Sequence, residues 1–315
     1  MTNLREELAA WKGAEVWERT ASGLVVPAPT ILAPAQVREE PEDRPVRAVD
    51  LFCGCGGFSL GMQQAGIDVI AALEWNPWAI MTYLSNLGSV RGCAMAYVTD
   101  EDKARLAKIL TKEKESETSG WIGAHNPDRD GSGCRAMVMG DATQVTGELI
   151  FEALAAIGCR TKIDVVFGGP PCQGMSKSGK QDPADPRNNL VLEFVRLADE
   201  LGADVFMMEN VPPLLTEAKF APLFEELVRR AHAAGFTVTA NVLDAVNYGV
   251  PQYRRRAFVV GTRGDANERP FSFALPTHWN FVHAPGGERT SFFEQAQAKR
   301  RDQQQKRTKR KRRRK

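Results

Sequence analysis

Long apolar runs are missing from this 315-residue chain, and cysteine is scarce. No stretch approaches the ~20 consecutive apolar residues that span a bilayer, and no charged-then-apolar leader opens the chain. Membrane insertion and secretion are therefore not expected, and a cytoplasmic setting is. The six cysteines (Cys53, Cys55, Cys93, Cys134, Cys159 and Cys172) are too few for a disulfide scaffold, and none forms a Cys-x-x-Cys pair. A reducing compartment follows. Clustered metal-ligand residues and internal repeats are absent too, so no metal is expected. What remains, 43% apolar and 25% charged residues, is the composition of an ordinary globular domain. It excludes wholesale disorder and collagen-like structure, and the length suits one large domain or one domain with appendages.

The net charge of +2 hides an uneven distribution. Residues 299–315 carry 12 Lys or Arg against one acid, Asp302, leaving 29 basic and 38 acidic side chains in residues 1–298. An acidic body with a basic tail results. Such a tail either binds polyanions such as nucleic acid without reading sequence or serves as a solubilising terminus.

Residues 1–45 read as an N-terminal extension ending in a Pro-rich linker. Order is expected to begin at Val46–Phe52. Further short apolar runs follow at Asp68–Trp75, Ala136–Asp141, Ile163–Gly169 and Ala203–Asn210, and Val250–Arg263 supplies a last strand. Apolar on both faces and separated by helix-length gaps, these runs predict an α/β fold with a doubly wound, mostly parallel sheet. The charged stretch 99–133 is expected to be a surface insertion between the second and third strands. Its charged run reads most simply as a solvated face.

Ligands of an open parallel sheet gather beyond the carboxyl ends of its strands, so the residues there are the candidates. After the first strand comes Gly54-Cys55-Gly56-Gly57, a turn that admits close approach by a ligand and opens a helix with free amides. Glu74 ends the second strand, where a carboxylate can accept both hydroxyls of a ribose. Trp75 and Phe52 offer flat faces to an adenine, and Asp141 ends the third strand as an acceptor for an exocyclic amino group. Together they describe an adenosine pocket; ordinary helix–strand packing is the alternative. After the fourth strand stands Pro170-Pro171-Cys172-Gln173, a cysteine held behind two prolines. A lone cysteine is commonly a small buried hydrophobe, but this rigid loop and the polar stretch after it argue for exposure. After the fifth strand stands Glu209, next to Met207 and Met208. Partial burial there would raise its pKa towards neutrality, although a strand-end acid can also be a cap.

"DLFCGCGGFSLG", "GDATQV", "GGPPCQGMS", "MENV" and "QYRRR" resemble, in order and spacing, the signature motifs of the cytosine-5 DNA methyltransferases. The resemblance covers about residues 46–263, roughly two-thirds of the chain. It implies a Rossmann-like methyltransferase fold and S-adenosylmethionine as cofactor, bound by Phe52, Gly54, Cys55, Gly56, Gly57, Glu74, Trp75, Asp141, Pro171 and Leu190. It implies that the thiolate of Cys172 adds to carbon 6 of cytosine while Glu209 contacts ring nitrogen 3. Arg254 and Arg256 match the arginines that hold the base and the cysteine loop, and such cations favour a thiolate. The target base of double-stranded DNA must be flipped out, and Gln173, Ser176, Lys177 and Ser178 lie in a loop suited to the DNA backbone. "DPRNNL" at 185–190 is a further match.

Relatives of this family continue into a target-recognition domain and two final motifs. Residues 264–298 show only "ALPTHWNF" in that position, before the basic tail 299–315. Some relatives are split into two chains after the arginine motif, so a second chain carrying target recognition is expected; a truncated product is the alternative. A bacterial or phage restriction–modification setting is expected. Three other readings remain: a non-catalytic nucleic-acid binder, a tRNA substrate, and an NAD-dependent oxidoreductase using the same Gly turn and Glu74.

Overall fold

The computed structural model describes residues 17–19, 25–27, 44–88, 93–115, 133–156, 158–175, 182–264, 271–277, 281–283 and 289–291. The strands, in chain order, are β1 (Trp17–Arg19), β2 (Val25–Pro27), β3 (Arg47–Leu51), β4 (Asp68–Glu74), β5 (Ala94–Tyr97), β6 (Ala136–Met139), β7 (Val165–Gly168), β8 (Val205–Asn210), β9 (Phe236–Asp244), β10 (Arg255–Arg263), β11 (Phe281–His283) and β12 (Arg289–Ser291). The helices used below are α1 (Gly57–Gln64), α2 (Pro77–Leu87), α3 (Asp100–Glu115), α4 (Gly147–Ala156), α5 (Leu190–Glu200), α6 (Pro213–Thr216) and α7 (Ala221–Ala233).

Ten strands form one sheet in the order β1-β2-β5-β6-β4-β3-β7-β8-β10-β9. The six from β5 to β8 pair in parallel, and β10 runs antiparallel to β8. This is the doubly wound, mostly parallel sheet that the apolar runs predict. From β3 the chain moves outward through β4 and then returns to place β7 on the other side of β3. The strand order therefore reverses at the β3/β7 boundary, where a crevice opens beyond the strand ends.

Alternation of side chains sends each strand's residues to two cores. Val49, Leu51, Val166 and Phe206 join Leu149 of α4, Phe194 of α5 and Leu227 of α7. On the neighbouring positions Ala48, Val69 and Phe167 pack with Met62 of α1, while Ala72 and Met137 pack with Ile80 and Tyr83 of α2. Both faces are thus covered by helices, which explains strands that are apolar throughout.

Six strands were not anticipated: the three-residue strands β11 and β12, the three-residue strands β1 and β2, which lie before the expected start of order at Val46 and join the sheet beside β5, and β5 and β9. β5, Ala-Met-Ala-Tyr, has no β-branched residue to announce it, unlike the equally short β6 and β7 with their valines. β9 is half-buried along most of its length, so its Thr and Asn residues break the apolar run that marked the others. Because β5 precedes α3, the charged stretch falls between β5 and β6. The Val250–Arg263 run becomes a strand only from Arg255. Two compact units are distinguished: residues 1–241 with 257–271, and residues 242–256 with 272–315. Among the described residues no helix is long and apolar enough to cross a membrane.

Candidate active site

At the carboxyl end of β3 the backbone turns sharply through Phe52, a non-glycine residue at φ 60°, and Gly54 and Gly56 follow at φ 54° and 92°. A Cβ on Gly56 would stand 2.2 Å from Leu87 Cδ1, whereas one on Gly54 or Gly57 would meet nothing within 4 Å. The glycine turn is therefore pressed against α2 on one side and open on the other. Glu74, at the neighbouring strand end, braces it: Oε2 accepts the Gly54 N–H at 2.8 Å, and Oε1 accepts the N–H groups of Trp75 at 2.9 Å and Asn76 at 2.8 Å. Trp75 is 58% exposed, Cys55 is exposed and Phe52 half-buried. Asp141, half-buried at the end of β6, accepts the N–H and hydroxyl of Thr143 on Oδ1, both at 2.9 Å.

Beneath the turn lies a polar group that the sequence reading passed over. Asp50 of β3 is fully buried; its Oδ2 accepts from the Ser59 hydroxyl at 2.6 Å, and Ser59 Oγ lies 2.8 Å from the Tyr83 hydroxyl. Oδ1 is buried with no hydrogen-bond partner. Burial pushes the Asp50 carboxyl up to about 8, the Ser59 bond opposes the shift, and the charge of Glu74 adds to it. Burial likewise pushes the neighbouring Cys53 thiol up.

Beyond β7 the chain enters the proline–cysteine loop. Gly168 adopts φ 154°, and a Cβ there would stand 1.8 Å from the Leu51 carbonyl oxygen. Only glycine lets β7 approach β3 this closely at its end. Register places Gly168 beside Met208, so the next residues, Gly169 and Glu209, are neighbours: a Cβ on Gly169 would lie 3.2 Å from Glu209 Oε2. Glu209 is half-buried, with Met208 buried and Met207 half-buried beside it. Cys172 forms no disulfide and is half-buried, packed at the edge of the main core. Its carbonyl accepts the Met175 N–H at 2.9 Å, closing a turn, and Pro171 beside it is half-buried.

Two side chains lace this loop to its surroundings. Asn210 Nδ2 donates to the Pro170 carbonyl at 3.3 Å. Arg187, held by Asp185, donates to Gln173 Oε1, tying the exposed residue after Cys172 to the turn that starts α5 at Leu190. Ser176, Lys177 and Ser178 lie outside the described residues.

Arg254 and Arg256 belong to the second unit. There the Arg254 N–H donates to Asp244 Oδ1 at 3.0 Å and its carbonyl accepts the Ala245 N–H at 3.0 Å. Arg254 is exposed and Arg256 half-buried.

The family model of the C-5 cytosine-specific DNA methylases matches residues 46–110 and 133–313. The chain belongs to this family. Among curated relatives of the chain, M.DdeI of Desulfomicrobium norvegicum is 30% identical over 219 residues, covering 69% of this chain and 40% of the relative. M.XorII of Xanthomonas oryzae is 30% identical over 281 residues, covering 82% and 55%. M.AquIA of Picosynechococcus is 30% identical over 240 residues, covering 74% and 77%. All three are named type II methyltransferases. The chain thus spans about half the length of the first two. An E. coli prophage protein described as a DNA modification methyltransferase superposes with a TM-score of 0.50 at 25% identity, covering 74% of this chain and 51% of that one.

Strand-end position was the signal that singled out Glu74, Asp141, Cys172 and Glu209 as candidates. Asp50, Ser59 and Asn210 lie inside the quoted motifs, yet one-dimensional reading assigns them nothing. Tyr83 and Arg105 lie outside the motifs and become visible only through their contacts.

Proposed function

We propose that this methylase transfers a methyl group from S-adenosylmethionine to carbon 5 of cytosine in double-stranded DNA. The observation that carries the reading is the parallel register of β7 and β8, which sets the Cys172 loop and Glu209 on adjacent strand ends. Cys172 is the nucleophile, adding as thiolate to carbon 6. Glu209 engages ring nitrogen 3 and its exocyclic neighbour, stabilising the electron-rich ring by proton donation or hydrogen bonding. Once carbon 5 carries the methyl group, loss of its proton to a base re-forms the ring double bond as the carbon–sulfur bond breaks and Cys172 leaves as thiolate.

The glycine turn fits an adenosine-bearing cofactor. Its outer side is open at Gly54 and Gly57, a carboxylate with spare acceptor capacity stands at its mouth, and an exposed indole adjoins it. Glu74 would hold the ribose hydroxyls, Trp75 and Phe52 the adenine, and Asp141 its amino group. The free amides opening α1 would meet the cofactor's carboxylate, with Cys55, Gly56, Pro171 and Leu190 completing the walls. When bound, S-adenosylmethionine supplies an electrophilic methyl group.

The family resemblance assigns Arg254 and Arg256 to the flipped base and Gln173, Ser176, Lys177 and Ser178 to the DNA backbone, and the tail 299–315 adds sequence-independent attraction to phosphates. We also assign target recognition to a second chain and the setting to restriction–modification in a bacterial cytoplasm; the relatives themselves are named type II methyltransferases. Adding a separately expressed recognition part is expected to raise methyl transfer; a fully active, sequence-specific monomer overturns that part of the proposal.

The decisive experiment uses duplex DNA carrying 5-fluorocytosine, whose fluorine cannot leave as a proton does, together with cofactor and any recognition part. A covalent adduct that disappears in Cys172→Ala is expected. Adduct-free DNA under these conditions favours a non-catalytic nucleic-acid binder, and an adduct formed with tRNA alone redirects the substrate.

A further inference from the structure

Trp75 is 58% exposed, yet its ring is not bare: the Arg105 guanidinium carbon stands 5.5 Å from the ring centroid. Arg105 Nη2 also makes a long contact of 3.4 Å to the Trp75 carbonyl oxygen. Asp102 aims the guanidinium, accepting from Nη1 on Oδ1 at 3.2 Å. Asp102 is itself buried, 6% exposed. Its Oδ2 accepts the Thr99 N–H at 3.2 Å and the Thr99 hydroxyl at 2.7 Å, and its own N–H donates to Thr99 Oγ1 at 3.1 Å. This reciprocal cap starts α3. A continuous chain of contacts, Thr99–Asp102–Arg105–Trp75, therefore runs from the cap of a charged helix to the exposed indole beside Glu74.

We propose that Arg105 is a positioning residue for the adenine end of the cofactor, acting through Trp75. It rests on the cofactor reading above and assigns a role to a side chain outside every signature motif. An exposed indole samples several rotamers, and a ligand that stacks on it must freeze them. A guanidinium plane laid over one face restricts the ring beforehand and leaves the remainder of its surface to the adenine. Lysine, a compact charge without a plane, replaces this contact poorly.

Equilibrium binding of S-adenosylmethionine, S-adenosylhomocysteine and adenosine to the full chain tests the proposal, using Arg105→Ala, Arg105→Lys, Trp75→Phe and the Arg105→Ala/Trp75→Phe double variant. Arg105→Ala is expected to weaken all three ligands by one common factor of about 3 to 10. Arg105→Lys recovers part of that affinity, and the double variant binds no more weakly than Trp75→Phe. In turnover the same factor appears in the cofactor KM rather than in kcat. Unchanged affinity in Arg105→Ala overturns the proposal, as does a loss that adds in full to that of Trp75→Phe. A loss confined to the two ligands that carry an amino-acid carboxylate also overturns it, because Arg105 would then be a direct ion partner. Wild-type chain that binds none of the three removes the cofactor reading and this proposal with it; wild type that binds while Arg105→Ala matches it removes this proposal alone.

Discussion

Asn210 joins the strand ends that bear Glu209 and the Cys172 loop: its Nδ2 donates to the Pro170 carbonyl at 3.3 Å, while its Oδ1 accepts the Val211 N–H at 2.8 Å. The side chain is 1% exposed. A single buried carboxamide thus ties the loop before Cys172 to the strand that bears Glu209. Asn210→Ala leaves an acceptor and a donor unpaired, at a cost of about 1–3 kcal/mol each. Adduct formation on 5-fluorocytosine DNA should slow about 10- to 100-fold, because reacting groups displaced by an ångström lose that much. Urea denaturation and the trapping rate measure the two effects separately. A destabilised variant that traps DNA at the wild-type rate would show the tie to be structural only.

Glu209→Gln keeps the shape of the side chain and removes its acid. Methyl transfer is expected to fall about 10²- to 10⁴-fold, the usual worth of a positioned proton donor or acceptor. Cofactor affinity, measured by calorimetry, should stay within a factor of two of wild type, about 0.4 kcal/mol. Full turnover by the variant contradicts the assigned role.

Asp50 makes stability depend on pH. Its carboxyl lies near 8 in the folded protein against an ordinary 3.8, so folding favours the protonated form. The stability it contributes is present in full below pH ~4 and is lost progressively as pH rises to ~8, at up to about 1.4 kcal/mol per pH unit. Asp50→Asn cannot ionise and should abolish that part of the slope. Chemical denaturation of both proteins from pH 5 to 8 tests this, and parallel pH profiles would refute it.

Removing residues 299–315 takes away 12 basic side chains and one acid. Affinity for non-target DNA should drop, and the slope of log K against log salt should become shallower by about 0.9 for each phosphate the tail neutralises. Filter binding between 50 and 200 mM salt, roughly the range over which counterion release is read, gives both numbers. An unaltered slope assigns the tail to solubility.

The strands at β3, β4, β6, β7 and β8 were legible because parallel strands buried on both faces are apolar throughout, and the runs of the last three end in Asp141, Gly169 and Asn210. β5 was hidden because it has no β-branched residue, β9 because it is only half-buried, and β1, β2, β11 and β12 because each is three residues long. Cys172 and Glu209 were legible because consecutive parallel strands deliver their carboxyl ends to one edge. Asp50 was not, since alternation along β3 makes it one more inward position, and a carboxylate at such a place is visible only once burial is known. The partnership of Arg105 with Trp75 joins residues 30 apart through a helix cap, a contact that no local pattern encodes.

Sequence alone determined the class of fold, the family and the order in which reactive residues meet the sheet's edge, because periodicity and chain order are one-dimensional properties that survive without coordinates. Tertiary structure alone decided which polar groups lie out of water and which side chains touch across elements: Asp50 beneath Ser59 and Tyr83, Asn210 against Pro170, Arg105 over Trp75. Those are consequences of packing, where distance in space and exclusion of solvent, rather than separation along the chain, set the energies.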